Sequence, residues 1–126
     1  MRDNLDVIKI ITYEFEISGG LSVADDQYFW VPVPTNCCLV SAFATAKTAP
    51  VGSDVQIEIE YKRGVAAWAT AIANTDFVIG DGNNIGYTTA ITVVYLEEGD
   101  MLRININQVG SGTAGSDLYA KLLAGV

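Results

Sequence analysis

The sequence VQIEIEYKRG, residues 55–64, carries the clearest structural pattern in the chain. Apolar side chains occupy every odd position from 55 to 61, and glutamine or glutamate occupies every even position between them. This period of two is typical of a β-strand with one buried face, because successive side chains point to opposite sides. Pro50 and Gly52 before the stretch and Gly64 after it are turn-forming residues. The stretch therefore predicts a half-buried strand between two turns, with no reactive group beside it.

The same alternation recurs elsewhere, in residues 11–17, 102–107 and 118–123. Two further segments, residues 38–46 and 87–96, are apolar on both sides, which is typical of central strands or of strands covered by another subunit. Prolines at positions 32 and 34 place residues 30–34 at a sheet edge or a strand entry, because proline cannot donate a ladder hydrogen bond. Short strands are also expected at residues 67–73 and 77–79.

Turn sequences rich in Gly, Asp, Asn and Ser separate these segments, and no long window has a convincing helical period. Residues 64–75 contain alanines that would suit a helix, but their position between two turn signals favours a strand. Seven to nine short strands predict an all-β fold, an antiparallel β-sandwich of jelly-roll type. A length of 126 residues, without an internal repeat or linker, predicts a single domain spanning residues 1–126.

The composition argues against two classes of binding partner, nucleic acids and anionic membranes. The chain has 15 acidic and 7 basic residues, which gives a net charge of −8. This balance argues against nucleic acid or an anionic membrane as a partner, because phosphate contacts need clustered Lys and Arg. No segment approaches the roughly 20 apolar residues of a membrane span. The N-terminal sequence lacks a secretory signal layout, so synthesis in the cytoplasm is expected.

Catalytic chemistry has few candidate residues in this sequence. Histidine is absent, which removes the commonest general base and most zinc ligand sets. The adjacent Cys37 and Cys38 are interpreted as free thiols, because a disulfide between neighbouring residues would strain the backbone. Glu58 and Glu60 lie on one strand face and are interpreted as its solvated side rather than as a catalytic pair. We predict no catalytic residue, no cofactor, no metal site and no enzymatic activity.

Aromatic residues are the other candidate for a site. Tyr28, Phe29 and Trp30 are consecutive, so at least one of them should be partly exposed. Aromatic side chains of this kind occupy subunit interfaces, where Tyr and Trp are enriched; they also pack in cores or stack on sugar rings. We favour an interface over the other two, which stay open. The candidate interface residues are Tyr28, Phe29, Trp30, Val40, Ala42, Trp68 and Tyr119.

The order of motifs over residues 30–126 resembles a small jelly-roll module of tailed-bacteriophage virion proteins. The elements are a small-residue strand followed by a Thr-Ala-Pro-x-Gly turn, an alternating strand, a Gly-Asp turn, a second alternating strand ending in Gln-Val-Gly, and a last strand. In this chain they are SAFATAK (41–47), TAPVG (48–52), VQIEIEYKRG (55–64), LEEGD (96–100), LRININQVG (102–110) and DLYAKLL (117–123). The resemblance covers residues 30–126.

This resemblance implies a structural role in a virion, often as a homotrimer. Modules of this kind occur as capsid decoration (cement) proteins, as fibre-head domains and inside larger tail proteins. A small free-standing chain fits a decoration protein that clamps the shell, with the major capsid protein or another virion protein as partner. Residues 1–7 would then serve as a flexible N-terminal arm across neighbouring capsid subunits. The alternative is a carbohydrate-binding receptor-recognition module of a phage tail or head fibre.

Overall fold

The computed structural model describes residues 9–23 and 30–126. Within these ranges the chain forms ten β-strands and no helix. The strands are β1 (Ile10–Gly20), β2 (Val31–Pro32), β3 (Cys37–Thr48), β4 (Val55–Lys62), β5 (Ala69–Ile72), β6 (Val78–Ile79), β7 (Ile85–Thr88), β8 (Tyr95–Leu96), β9 (Met101–Gln108) and β10 (Ser116–Gly125). The all-β prediction is confirmed, and the candidate arm at residues 1–7 lies outside the described residues.

The strands form two antiparallel five-stranded sheets. Sheet A has the order β1-β10-β3-β7, with β8 also paired to β3, and sheet B has the order β2-β9-β4-β5, with β6 also paired to β4. The pairings are nested along the chain, since β1 pairs with β10, β2 with β9, β3 with β7 and β8, and β4 with β5 and β6. A long hairpin folded over itself in this way is a jelly roll, with eight strand positions of which two are divided.

Alternating apolar side chains of both sheets form the core. Val55, Ile57 and Ile59 of β4 have no exposed surface, and Ile57 and Ile59 lie opposite Ile106 and Ile104 of β9. Sheet A supplies the other half of the core, including the buried Phe15, Leu118 and Leu122. Each such side chain contributes about 1.5–3 kcal/mol by leaving water, so the alternation of period two determines which face of each strand is buried.

Strand β3 changes phase in its middle. Leu123 of β10 pairs with Ser41 and Ala124 pairs with Leu39, so Val40 has no opposite residue in the ladder. One additional residue on one strand is a β-bulge, and it shifts the alternation of the residues that follow. Ser41 and Ala42 are consequently both buried, while Val40 before them is exposed. The bulge places Phe43 on the outer face together with Val40, so residues 38–46 have apolar side chains on both faces.

The prediction of one strand over residues 87–96 is wrong. Strand β7 ends at Thr88 and β8 begins at Tyr95. Between them the backbone leaves sheet A, and the N–H groups of Thr92 and Val93 donate to the carbonyl oxygen of Ala71 in β5 at 2.9 and 3.1 Å. These bonds join the open edges of the two sheets. The apolar side chains of this segment thus belong to a loop that leaves sheet A, bonds to the edge of sheet B and returns to sheet A. Periodicity alone does not distinguish such a loop from a strand.

An ion pair connects two turns at one end of the sandwich. Arg63, just after β4, donates from Nε to both carboxylate oxygens of Asp100 at 3.0 and 3.2 Å and from Nη2 to Oδ2 at 2.8 Å. The same Oδ2 accepts the backbone N–H of Glu97 at 2.8 Å. The backbone oxygen of Asp100 accepts the N–H of Val33 at 2.8 Å. Asp100 therefore joins the turn before β9 to both β4 and the segment after β2.

Candidate functional site

Five large apolar side chains of β3, β7 and β8 lie exposed on the outer face of sheet A. They are Val40 and Phe43 of β3, Ile85 and Tyr87 of β7, and Tyr95 of β8, with exposed fractions between 42% and 67%. We call this surface the apolar strip.

The strand register makes the apolar strip continuous. Phe43 lies directly opposite Tyr87, and their ring centroids are 4.7 Å apart at an interplanar angle of 45°. Ile85 lies opposite Thr45, one position further along the same face. At the other end of β3, Tyr95 lies opposite Cys38, which shares the outer face with Val40. The strip therefore extends along most of β3.

Charged groups are sparse along the apolar strip. Strands β3, β7 and β8 contain no carboxylate, and Lys47 is their one charged residue. Among the acidic side chains outside these strands, Glu14 and Glu16 lie on β1, two strands away across β10, and Asp117 is exposed at the start of β10, near the Lys47 end of β3. Lys121 of β10 lies opposite Phe43. Tyr119 of β10 lies between these regions. A hydrogen bond with Glu14, together with partial burial and the nearby charges, raises the pKa of its phenol.

A second aromatic group lies over the outer face of sheet B, which we call the tryptophan cluster: Trp30, Trp68, Lys62 and Arg103. The two indole rings meet edge to face, with centroids 5.2 Å apart and an interplanar angle of 66°. The guanidinium of Arg103 lies 4.2 Å from the Trp68 ring, and Lys62 Nζ lies 6.0 Å from the Trp30 ring. Both distances fall within the range of cation–π attraction. Trp30 is 45% exposed, and Trp68 is half-buried.

Polar side chains beside the tryptophan cluster form cross-strand hydrogen bonds. Glu60 accepts from Arg103 Nε at 2.8 Å and from the amide of Asn105. Glu58 accepts from the Thr70 hydroxyl at 2.6 Å and from Asn107 at 3.4 Å. The two carboxylates therefore connect β4 to its neighbours on both sides. Glu58 and Glu60 share one strand face as predicted, but that face is a hydrogen-bonded polar layer and not a solvated one, since the Glu60 side chain is only 15% exposed.

The two cysteines are free and occupy opposite faces of β3. Cys37 is buried, and its sulfur lies 3.3 Å from the hydroxyl of Tyr13. Burial and this contact raise the pKa of Tyr13. Cys38 is exposed and lies beside Tyr95 on the outer face. The prediction of free thiols is confirmed, and Cys38 provides a natural chemical probe next to the apolar strip.

The structure separates the residues predicted to form one interface. Trp30 and Trp68 contact each other over sheet B, whereas Val40 and Tyr119 lie on the outer side of sheet A. Ala42 needs correction, because it has no exposed surface in the chain and faces the core after the β3 bulge. The predictions for residues 28 and 29 lie outside the described residues.

Sequence reasoning missed most of the apolar strip, namely Phe43, Ile85, Tyr87 and Tyr95. Their signal was present in the two segments that are apolar on both faces, residues 38–46 and 87–96. That pattern shows that some apolar side chains point outward. It does not show which side chains these are, since the bulge in β3 and the loop after β7 both interrupt the alternation of inward and outward side chains.

Metal coordination, membrane insertion and a surface depression are the other features that could form a site. Across residues 9–23 and 30–126, no group of three or more His, Cys, Asp or Glu side chains could hold a metal ion. In the described part of the chain, no helix is long and apolar enough to cross a bilayer. A surface depression of about 320 Å³ lies where β1 and β10 meet, lined by Glu16, Ile17, Ser18, Asp117, Leu118 and Tyr119.

Comparison with known proteins adds information on the fold. No family model and no curated protein matches the chain. The similar solved structures include one of the Gx strain of infectious bursal disease virus, with 12% identity and a TM-score of 0.50 over 96% of this chain. This chain spans about a third of that viral chain, 32% of its length.

Another similar structure is the capsid asymmetric unit of cyanophage Pam1. It has 11% identity and a TM-score of 0.45, over 94% of this chain and 84% of that one. At these identities, likeness to the infectious bursal disease virus structure shows a shared fold and nothing more specific.

Proposed function

We propose that this chain is a non-enzymatic structural protein of a virus particle. In its specific form the proposal is a homotrimeric capsid decoration (cement) protein of a tailed bacteriophage, which clamps the shell from outside. The apolar strip is the observation that carries the proposal. Contiguous apolar surface on a soluble domain marks a protein-binding face, because leaving it in water is unfavourable. The fold likeness to a structure of infectious bursal disease virus agrees with a virion role.

A decoration protein needs two kinds of contact, one with its own copies and one with the shell. The molecule has two aromatic or apolar surfaces on different sheets, the apolar strip on sheet A and the tryptophan cluster on sheet B. Tyr and Trp are enriched in the centres of protein interfaces, where they bury a large area with little loss of side-chain freedom. Two separate surfaces would allow one chain to bind a copy and a shell protein together.

The partners in this proposal are other copies of the chain and the major capsid protein or another virion protein. The location is the virion, after synthesis in the host cytoplasm. A net charge of −8 supports protein partners over nucleic acid or an anionic membrane, because both of those carry negative charge themselves.

Purified particles test this function directly. Virus particles would be banded from a lysate of the host that carries the encoding genome, and their proteins quantified by mass spectrometry. We expect this chain in a fixed ratio to the major shell protein, at a copy number set by the shell symmetry. A copy number of only a few trimers per particle would indicate a fibre instead. Absence from washed particles would contradict the proposal.

The tryptophan cluster favours a second candidate, a carbohydrate-binding receptor-recognition module. Exposed indole rings can stack on sugar rings, and Trp30 is exposed beside a lysine. Titration of a panel of mono- and oligosaccharides against intrinsic tryptophan fluorescence tests it. The candidate predicts a saturable change that is lost in Trp30→Ala. A panel that leaves the emission of the wild-type chain unchanged would count against sugar binding.

A further inference from the structure

We infer that the apolar strip is the surface through which copies of this chain contact one another, so that its occupant is a second copy rather than the shell. The inference rests on the homotrimer of the proposed function and assigns the interface within it. It departs from the prediction made from sequence, which placed Trp30 and Trp68 in the interface together with Val40.

The size of the apolar strip is appropriate for a subunit interface. With exposed fractions of 42–67%, its five side chains present about 400–600 Å² per copy, taking about 150–250 Å² for each full aromatic side chain and slightly less for valine and isoleucine. A standard stable interface buries about 800 Å² per partner, including a polar rim. The strip and the groups around it, such as Thr45 and Lys47, therefore provide about the area that a stable contact needs.

Charge favours a second copy as the occupant. Each copy carries a net charge of −8, so copies repel one another wherever their carboxylates would be close. The strands of the apolar strip contain no carboxylate and one lysine. The exposed Asp117 at the start of β10 lies at the end of β3 that carries Lys47, and Glu14 and Glu16 lie two strands away, on β1. At physiological salt the Debye length is about 8 Å, so charges at that separation are strongly screened. The strip is thus a surface where acidic copies can meet with little repulsion.

The position of the apolar strip also permits close approach. Among residues 9–23 and 30–126, strands β7 and β8 pair with β3 and with no further strand, so they form the edge of sheet A there. Side chains at a sheet edge are accessible from above and from the side. Oligomers of identical chains are usually closed by rotational symmetry, and three copies around one axis would each bury a strip.

Charge insertion tests the assignment. Ile85→Glu introduces a carboxylate into the apolar strip at a side chain that is 67% exposed, so the fold of the single chain should tolerate it. Val65→Glu is the matched control, because Val65 is fully exposed in the turn after β4, away from the strip. Light scattering after size exclusion measures the mass of each variant. We expect loss of the trimer in Ile85→Glu and an unchanged mass in Val65→Glu.

Cys38 provides a second, independent measurement on the unmodified chain. Its thiol is exposed beside Tyr95 at one end of the apolar strip, whereas Cys37 is buried in the core. Covering the strip should slow the reaction of Cys38 with a soluble thiol reagent such as 5,5′-dithiobis(2-nitrobenzoate), by about tenfold or more, because thiolate chemistry requires access. We expect slow labelling in the wild-type trimer and fast labelling in Ile85→Glu. Equal rates in the two proteins would overturn the assignment.

The outcomes separate this inference from the proposed function. If Ile85→Glu stays trimeric and Cys38 reacts freely in the wild-type trimer, the interface lies elsewhere, and this inference fails while the trimer stands. If the wild-type chain is monomeric, the inference fails together with the soluble homotrimer. Mass spectrometry of purified particles answers the question of virion location separately in both cases.

Discussion

Asp100 is the residue whose environment differs most from what its type would suggest. Its side chain is 1% exposed, yet it is held by Arg63 and by the backbone N–H of Glu97. Burial opposes ionisation of this carboxyl. The hydrogen bonds from Arg63 and Glu97 and the charge of Arg63 outweigh burial together, so the pKa of Asp100 is lowered. The aspartate of the Gly-Asp turn thus has a structural role, connecting two turns and β2.

Replacing Asp100 by alanine should destabilise the fold. The change leaves the N–H of Glu97 without its acceptor and removes one of the two carboxylates paired with Arg63, the other being that of Glu97 at 3.4 Å. Hydrogen bonds that involve a charged group contribute about 1.5–3 kcal/mol, so we expect the free energy of unfolding to fall by about 2–3 kcal/mol. Urea unfolding followed by tryptophan fluorescence measures it. Asp76→Ala is the control, since Asp76 is exposed in a turn and should change stability by less than about 0.5 kcal/mol.

Low pH should remove the contribution that the ionised Asp100 makes to the free energy of unfolding. Asp100 has a lower pKa when folded than when unfolded, where it is about 3.9, so the unfolded state binds the proton more readily. Its stabilising effect is therefore complete above about pH 4 and is lost as the pH falls through the folded pKa. Asp100→Asn should lose stability less steeply below pH 4 than the wild-type chain. Parallel curves of unfolding free energy against pH for the two proteins would refute this role.

At the scale of single residues the sequence was a good guide wherever a strand alternates without interruption. Val55, Ile57 and Ile59 were predicted to share one face, and all three are fully buried. Leu102, Ile104 and Ile106 follow the same rule. Burial of one sheet face imposes the period of two on these strands, so the period is readable from the residues alone. The period does not predict the position of Ala42, because the bulge in β3 turns its side chain toward the core.

At the scale of elements, the contact between β6 and β7 closes one side of the sandwich. Gly86 of β7 lies against the backbone of Val78 in β6, where a Cβ atom at position 86 would lie 2.8 Å from the carbonyl carbon. No real Cβ contact with backbone is that short, so a side chain here would separate the two sheets. Glycine at this position is therefore required by close packing and not by an unusual backbone conformation.

Gly86→Ala should lower the free energy of unfolding by about 3 kcal/mol, because the backbone of one sheet must shift to admit the methyl group. The matched control is Gly20→Ala at the end of β1, where a Cβ would have nothing within 4 Å. That variant should change stability by less than about 0.5 kcal/mol. Equal stabilities of the two variants in urea would contradict the close packing of β7 against β6.

Element boundaries could be predicted less well than element faces. Residues 87–96 were read as one strand, yet the chain turns from sheet A to sheet B after Thr88 and returns at Tyr95. The hydrogen bonds of Thr92 and Val93 to Ala71 decide this path, and they depend on a residue 21 and 22 positions away in the chain. A local pattern contains no information about such a long-range partner. The proline-containing β2 was predicted correctly at a sheet edge, because the constraint there is local.

At the scale of the whole molecule, the sequence predicted the antiparallel sandwich but not its surfaces. Turn signals and alternation predicted seven to nine strands, whereas the described residues form ten, because two of the eight strand positions of the jelly roll are each divided into two short strands. The candidate interface was predicted as one group and is found on two different sheets. Separation of Trp30 from Val40 results from how the strands are shared between the sheets, which no spacing along the chain reveals.

The solution mass of the wild-type chain is the first measurement to make, because it shows whether copies of the chain form a homotrimer. Light scattering after size exclusion, at two protein concentrations tenfold apart, distinguishes a stable assembly from a weak one. We expect a homotrimer of about 40 kDa at both concentrations, three times the 13.5 kDa of one chain. A mass of 13.5 kDa at both concentrations would contradict the account, because the apolar strip would then stay exposed to water in the isolated protein.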